Sequence, residues 1–319
     1  MNRTGNIRLV GDVGGTNARL AWVDEKDQLQ DIRNFSCQDY TGLDEIYRSY
    51  CQQMAIHPTA VCFAVAGPVG PDEVRISNLD WCFSIQGLQR LLDVPKLHIV
   101  NDFAALARAL PLLPDRSLRL LLAADGEHYG TRAVIGPGTG LGTAAIVWYG
   151  GGWQVIAAEG GHMTLPIRTD REVEVWRLMR RHYKRISAER VLCGPGIVEL
   201  YRSVCELENI VPRFSTAAEV VDAGQHHQDD QAVESLYMFC ALLGDVAGNF
   251  ALCVGATGGV YLGGGILPRI ISFLQASEFT ERFRNRGRAD EFIRRMPVFV
   301  ICEPYPALPG CVAYLSQTS

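Results

Sequence analysis

The sequence predicts an α/β protein built as two similar halves with a cleft between them. Three observations carry this. Strand-like and helix-like segments alternate along the 319 residues. The order strand, glycine turn, strand occurs twice, at "LVGDVGGTNARLAWVD" (9–24) and "VIGPGTGLGTAAIVW" (134–148). A proline cluster, "ALPLLPDRS", breaks the pattern near residue 111 and marks the best domain boundary. A chain of this length exceeds one ordinary core. Mixed hairpins and helices bury their apolar faces as layers.

The elements follow in order. Strands read at "NIRLVGDVG", "ARLAWVD", "TAVCFAVAG", "EVRISN" and "KLHIV". "DFAALARALPLL" has apolar residues at helical spacing, with Asp102 placed where an N-cap belongs. A second set of strands reads at "RLLLAAD", "RAVIGPG", "GTAAIVWY" and "WQVIAAEGG". Helices follow at "DREVEVWRLMRRHYKR" and "GIVELYRSVCELE". "AVESLYMFCALLGDVAGNFALCV" sets Val233, Leu236, Cys240, Leu243 and Ala247 on one face, as an amphipathic helix does. "GGVYLGGGILPRI" reads as strand, turn and helix, ahead of the closing "PVFVICEPYPALPGCVAYLSQ".

Composition narrows the function classes. With 48% hydrophobic and 20% charged residues, the chain is an ordinary soluble globular protein. A formal net charge of -5 argues against general nucleic-acid binding. It leaves phosphorylated small molecules open, because backbone amides bind these unaided. The ten cysteines, at 37, 51, 62, 82, 193, 205, 240, 253, 302 and 311, include no Cys-x-x-Cys pair. Several, such as Cys62 and Cys253, sit in apolar strings, so buried reduced thiols in a cytoplasmic protein are the simplest account. "MNRTGNIRLVGD" has no secretory leader. The charge-free run Ala133–Ala158 holds seven glycines and a proline in strand-length pieces, which argues against a membrane span. The arginine-rich runs "RLMRRHYKR" and "RFRNRGRADEFIRR" are interrupted or flanked by acids, and read as solvated helix faces.

The chemistry concentrates in the turns. In "GDVGGTNAR" the glycines permit positive φ and leave backbone N–H groups able to converge on an anion. Thr16 and Asn17 add donors, and Asp12 is suited to orient a metal-bound water beside a phosphate. A tight hairpin needing only glycine reads equally from this segment alone. The second turn, with Gly138, Thr139 and Gly140, repeats the design. Two such turns could hold different phosphates of one nucleotide. No glycine run is followed by Lys-Ser or Lys-Thr, so no Walker motif is present, and "GGGI" lacks the wider dinucleotide spacing.

Taken together these motifs resemble the bacterial-type glucokinases, ATP-dependent hexose kinases of the actin-like (ribonuclease-H-like) fold. The resemblance runs from residue 9 to about 315, with motifs in the family order: "LVGDVGGTNARLA", "VNDFAALARA", "GPGTGLG", "EGGH", "SAERVLCGPG" and "GGVYLGGGILPR". It implies an actin-like two-domain kinase with an interdomain cleft. Residues 1–112 and a returning 303–319 form the small domain, and 113–302 the large one. It implies Asp102 as the base, accepting the proton of a sugar hydroxyl as phosphoryl transfer proceeds. Capping of the following helix is compatible with that role.

Asn101, Asp102, Glu159, His162 and Glu189 match the family's sugar-binding residues, a donor and acceptor set suited to a neutral polyol. A helical first-turn acid remains the plain reading of Glu189. Two glycines between Glu159 and His162 argue against metal ligation, and no protein metal site is expected. The resemblance places the phosphates of Mg2+-ATP at Gly11, Asp12, Val13, Gly14, Gly15 and Thr16 and at Gly138 and Thr139. It places adenosine against Gly263, Gly264 and Gly265. It further implies D-glucose as substrate, a homodimer in the cytoplasm, and no nucleic-acid or membrane partner. The departures are small: "AVAGPVG" in the first sugar-side loop and Pro137 stiffening the second turn. The "CxCGxxGC" zinc cluster of the related repressor and kinase family is absent.

Overall fold

The computed structural model describes residues 7–316. Met1–Asn6, where no leader is read, and Gln317–Ser319 lie outside the described residues. The chain divides into two compact units: one runs to Pro114 and resumes at Glu303, and the other is Asp115–Cys302.

In the first unit, β1 (Arg8–Val13), β2 (Asn17–Val23) and β3 (Leu29–Ser36) form an antiparallel meander. Helix α1 (Leu43–Met54) leads to β4 (Ala60–Val65), which lies parallel to β1. A short hairpin, β5 (Glu73–Arg75) and β6 (Cys82–Ser84), precedes α2 (Ile85–Leu92). Then come β7 (Lys96–Asn101), parallel to β4, and α3 (Asp102–Ala109). The sheet order is β3-β2-β1-β4-β7. Strand periodicity sorts the core. Leu9, Val13, Val61, Phe63 and Val65 pack with Ile46, Tyr50 and Leu88 on one face. Val10, Cys62 and Ala64 fall on the other.

The second unit repeats the plan. Strand β8 (Leu118–Leu122) precedes an antiparallel meander of β9 (Arg132–Pro137), β10 (Leu141–Tyr149) and β11 (Gly152–Ala158). Five helices follow: α4 (Asp170–Met179), α5 (Ala188–Val191), α6 (Gly194–Leu207), α7 (Ala217–Gln225) and α8 (Asp230–Val254). Then come β12 (Gly259–Leu262), the short α9 (Ile271–Ala276), α10 (Phe279–Arg284) and α11 (Asp290–Arg294), and β13 (Val298–Ile301). The order β11-β10-β9-β12-β13-β8 matches the first sheet, with β12 and β13 parallel to β9 as β4 and β7 are to β1. The added strand β8 pairs antiparallel with β13. The chain then returns to the first unit, where α12 (Ala307–Leu315) covers the Val10–Cys62 face through Leu308, Cys311 and Val312.

Several expectations need correction. Asn101, not Asp102, is the N-cap of α3: its Oδ1 accepts from the amides of Phe103 and Ala104 at 2.9 and 3.1 Å. Strand β3 is absent from the sequence reading because its middle is exposed and polar, which removes the alternation. The helix of "DREVEVWRLMRRHYKR" stops at Met179, and the following arginines lie in turns. Helix α8 is buried around nearly its whole girth rather than along one stripe, and Val233 is only partly buried. It is the one helix among the described residues long and apolar enough to cross a membrane, and 72% of that window is buried inside the protein. Cys253, Cys82 and Cys302 are exposed.

Two arginines of the second run depart from a solvated face, while Arg288, Arg294 and Arg295 are exposed as expected. Arg282 and Arg286 are buried against the inward-facing carboxylate of Asp245, and Arg282 also pairs with buried Glu172. Each charge is kept inside by an opposite one, because an unpaired buried ion is prohibitively costly.

Candidate functional site

The two glycine turns occupy equivalent places, each joining the first two strands of a meander. In the first, the Gly14 amide donates to Asn17 O at 2.9 Å and closes the hairpin. None of its glycines, Gly11, Gly14 and Gly15, has a positive φ, and two of them, Gly11 and Gly15, are required for close approach. A Cβ on Gly15 would lie 2.6 Å from Ser77 O, and one on Gly11 would lie 2.7 Å from the Phe63 ring. Val13 faces the core. The hairpin tip, Gly15 and Thr16, is its outermost part. Asp12 stands opposite Arg19 across the strand pair, with Arg19 Nη1 3.5 Å from its carboxylate. Burial pushes the Asp12 carboxyl above its usual range, and Arg19 only partly offsets this.

Asn101 and Asp102 come at the end of β7, where a parallel strand hands over to a helix. Crevices of this kind hold ligands in α/β proteins. Beyond capping α3, Asn101 donates from Nδ2 to Gly67 O at 3.2 Å, tying the "AGPVG" loop to the helix start. Gly67 has φ +132°, and a Cβ there would lie 2.6 Å from Arg75 O, so this loop needs its glycine on both counts. One Nδ2 hydrogen of Asn101 remains for a substrate. Asp102 Oδ1 accepts from the Phe103 amide at 2.9 Å, which fixes the carboxylate at the start of α3.

The second unit brings together the other three sugar-site candidates. Glu159 Oε2 lies 3.8 Å from His162 Nε2, and Glu189 Oε1 lies 3.8 Å from His162 Nδ1. The side chains of Glu159 and His162 are 71% and 60% exposed, which leaves their polar atoms available to a ligand. Glu159 precedes the 3-10 turn Gly160–His162, held down where the Gly160 amide donates to Thr143 Oγ1 at 2.7 Å. Glu189 sits in the first turn of α5, yet its Oε2 reaches away from that helix to accept from the Leu141 amide at 3.0 Å. The dipole reading of Glu189 is therefore insufficient.

Beside the second turn lies a cavity of about 840 Å³, lined by Gly138, Thr139, Gly194, Thr216, Gly265 and Arg269 among others. Gly138 and Gly265 would each place a Cβ with nothing within 4 Å, so bare backbone borders open space. Helix α6 begins here, with Pro195 in its first turn and the Gly194 amide donating to Gly138 O at 2.8 Å. Helix α7 opens with a Thr216–Glu219 capping box at the same cavity. The positive end of α7 favours an anion here, whereas in α6 the Gly194 amide is spent on Gly138 O, Pro195 has none, and the Gly196 amide is spent on Cys193 Sγ. Of the three successive glycines, only Gly265 lines it. Gly264, at φ +85°, packs on Pro137 O, and Gly263 on Gly136.

Sequence reasoning missed Thr143, the Leu141 amide and the cavity wall formed by Thr216, Gln225 and Arg269. Only Thr216 carried a readable signal, the Ser/Thr-x-x-Glu capping pattern. Among the described residues no group of three or more His, Cys, Asp or Glu could hold a metal ion.

Comparison with known proteins bears on the same residues. The family model for glucokinase matches residues 9–318. A glucokinase of Chromobacterium violaceum is 41% identical over 97% of this chain and 89% of its own length. One of Nitrobacter hamburgensis is 40% identical over 95% of each. Among solved structures, a glucokinase from an Antarctic psychrotroph superposes with TM-score 0.87 at 33% identity, over 99% of this chain and all of that one. The duplicated sheets of this chain are those of an actin-like two-domain α/β kinase fold. With the match spanning both sheets and every motif between them, the chain belongs to the glucokinase family.

Proposed function

We propose that this chain transfers the terminal phosphoryl group of ATP to O6 of D-glucose, with Asp102 as the general base. The reading is supported by family membership over nearly the whole chain and by a carboxylate at a strand-to-helix junction, with one oxygen committed to a backbone amide. A neutral sugar alcohol is a weak nucleophile. A carboxylate that takes its proton as the new bond forms lowers the barrier. Glu159, His162 and Glu189 bind the sugar's hydroxyls, and Asn101 contributes its remaining Nδ2 hydrogen. The two sets are assigned to one hexose on the strength of the family motifs.

The cavity beside Gly138 and Thr139 takes the nucleotide, its bare backbone and the start of α7 meeting phosphate oxygens. Gly265 leaves room for the flat base. The first turn, Gly11 to Thr16, contributes amides to phosphate through its tip. Mg2+ arrives with ATP, and the residues fit it: it takes few protein ligands, and Asp12, strained by burial, gains from a nearby cation through water. When bound, the ion neutralises phosphate charge. We also expect a homodimer in the cytoplasm with no nucleic-acid or membrane partner, by resemblance to the family, testable by sedimentation.

The decisive test is Asp102→Asn, which keeps an acceptor for the Phe103 amide. It should lower kcat by about 10²–10⁴-fold, the usual contribution of a general base, with glucose affinity changed less than about threefold (~0.65 kcal/mol). Turnover at the full rate would remove Asp102 as the base. A panel of fructose, mannose and N-acetylated aminosugars in the same coupled assay tests the substrate, and a preference for any of them over glucose overturns it.

A further inference from the structure

Glu189 faces two ways. Its Oε1 lies 3.8 Å from His162, among the sugar-site residues. Its Oε2 accepts from the Leu141 amide at 3.0 Å, at the foot of the turn Gly138–Gly140. At the other foot of the turn, Pro137 pairs with Leu141 in the ladder and is backed by Gly264, which leaves Glu189 as the side-chain partner on the Leu141 side. The Gly138 amide donates to Gly140 O at 2.8 Å within the turn, and Gly138 O accepts from Gly194. On the cavity side nothing presses on Gly138. The carboxylate also fills the space over Gly140, where a Cβ would come within 2.6 Å of Oε2. The opposite side of Leu141 is occupied as well: a Cβ on Gly161, in the Glu159–His162 turn, would lie 2.1 Å from Leu141 O. The start of β10 is thus shared by the nucleotide turn, the sugar loop and Glu189, all in one unit.

We propose that Glu189 is a positioning residue for the nucleotide turn as well as a sugar ligand, so that removing its carboxylate weakens nucleotide binding with no sugar present. This rests on the assignment of the Gly138 turn to nucleotide phosphate. The carboxylate fixes the Leu141 amide, which sets the end of the turn, and the turn presents its backbone to the phosphates. Sugar binding at Oε1 and nucleotide binding at the turn then share one side chain, and each sharpens the other. By linkage the coupling is reciprocal.

The test is ADP affinity by calorimetry in the absence of sugar, using the full chain. Glu189→Ala should raise the ADP Kd about five- to tenfold, the net scale of one ordinary hydrogen bond, since the lost bond acts on the nucleotide only through the turn. Glu189→Gln keeps an oxygen for Leu141 and should stay within about twofold of the parent for ADP. Both should raise the KM for glucose. Gly140→Ala, whose methyl would come within 2.6 Å of Glu189 Oε2 and displace the carboxylate, should weaken ADP and glucose together. Gly138→Val is the control, because its side chain enters the cavity directly. Unchanged ADP affinity in Glu189→Ala, with Gly138→Val weakened, overturns the proposal alone. Unchanged affinity in both overturns the nucleotide assignment and the proposal with it.

Discussion

The two glycine hairpins share a sequence pattern and a position in their sheets, but they need glycine for different reasons. In the first, Gly15 is pressed onto Ser77 O and Gly11 onto Phe63, so a side chain has nowhere to go. In the second, Gly138 borders an empty 840 Å³ cavity, where a side chain would fit and obstruct. Neither Gly15 nor Gly138 has a positive φ. A glycine-rich motif read from sequence therefore combines two requirements, packing of backbone on backbone and access for a ligand. Only the neighbours tell them apart.

That contrast can be broken by substitution. Gly15→Val meets backbone oxygen rather than a movable side chain, and should cost about 3 kcal/mol of stability, the upper range for overpacking. Urea denaturation reads this directly, and a loss below about 0.5 kcal/mol, an ordinary surface effect, would refute the packing account. Gly138→Val should leave stability within about 0.5 kcal/mol but raise the KM for ATP about tenfold, or ~1.4 kcal/mol. Equal destabilisation by the two variants would erase the distinction between the hairpins.

The smallest effect concerns Asp12, a buried carboxylate that only the first hairpin carries. Its raised pKa means the folded chain holds the proton more tightly than the unfolded chain. Its favourable contribution is thus complete below the ordinary value of 3.8 and is lost as pH rises through the folded pKa. Asp12→Asn should therefore gain in stability relative to the parent as pH rises above 3.8. Parallel stability curves for the two would show that Asp12 titrates normally.

Much of this was legible along the chain. Both hairpins and the helix after Asp102 announce themselves by alternation, spacing and turn residues. The cap of α3 was misplaced by one position because Asn101 and Asp102 are both capable of capping, and only the strand's end decides between them. Strand β3 was invisible because an exposed edge carries no apolar period. Arg282 and Arg286 looked solvated because their partners, Glu172 and Asp245, lie far away in sequence. Glu189 stands out in the sequence only through the "SAERVL" motif. Its bond to Leu141 could not be read, since a backbone amide 48 residues distant leaves no mark on the letters.

Helix α12 carries one more consequence. It supplies Leu308, Cys311 and Val312 to a core that also holds Val10, Ala21, Cys62 and Ala64 of the early strands and Ala105 of α3. All of Asp115–Cys302 must leave the ribosome before that core can close. At about 5–20 residues per second this leaves one face of the first sheet uncovered for roughly 10–40 s. The nascent first unit is thus a natural client for chaperones, while the second can fold on its own schedule.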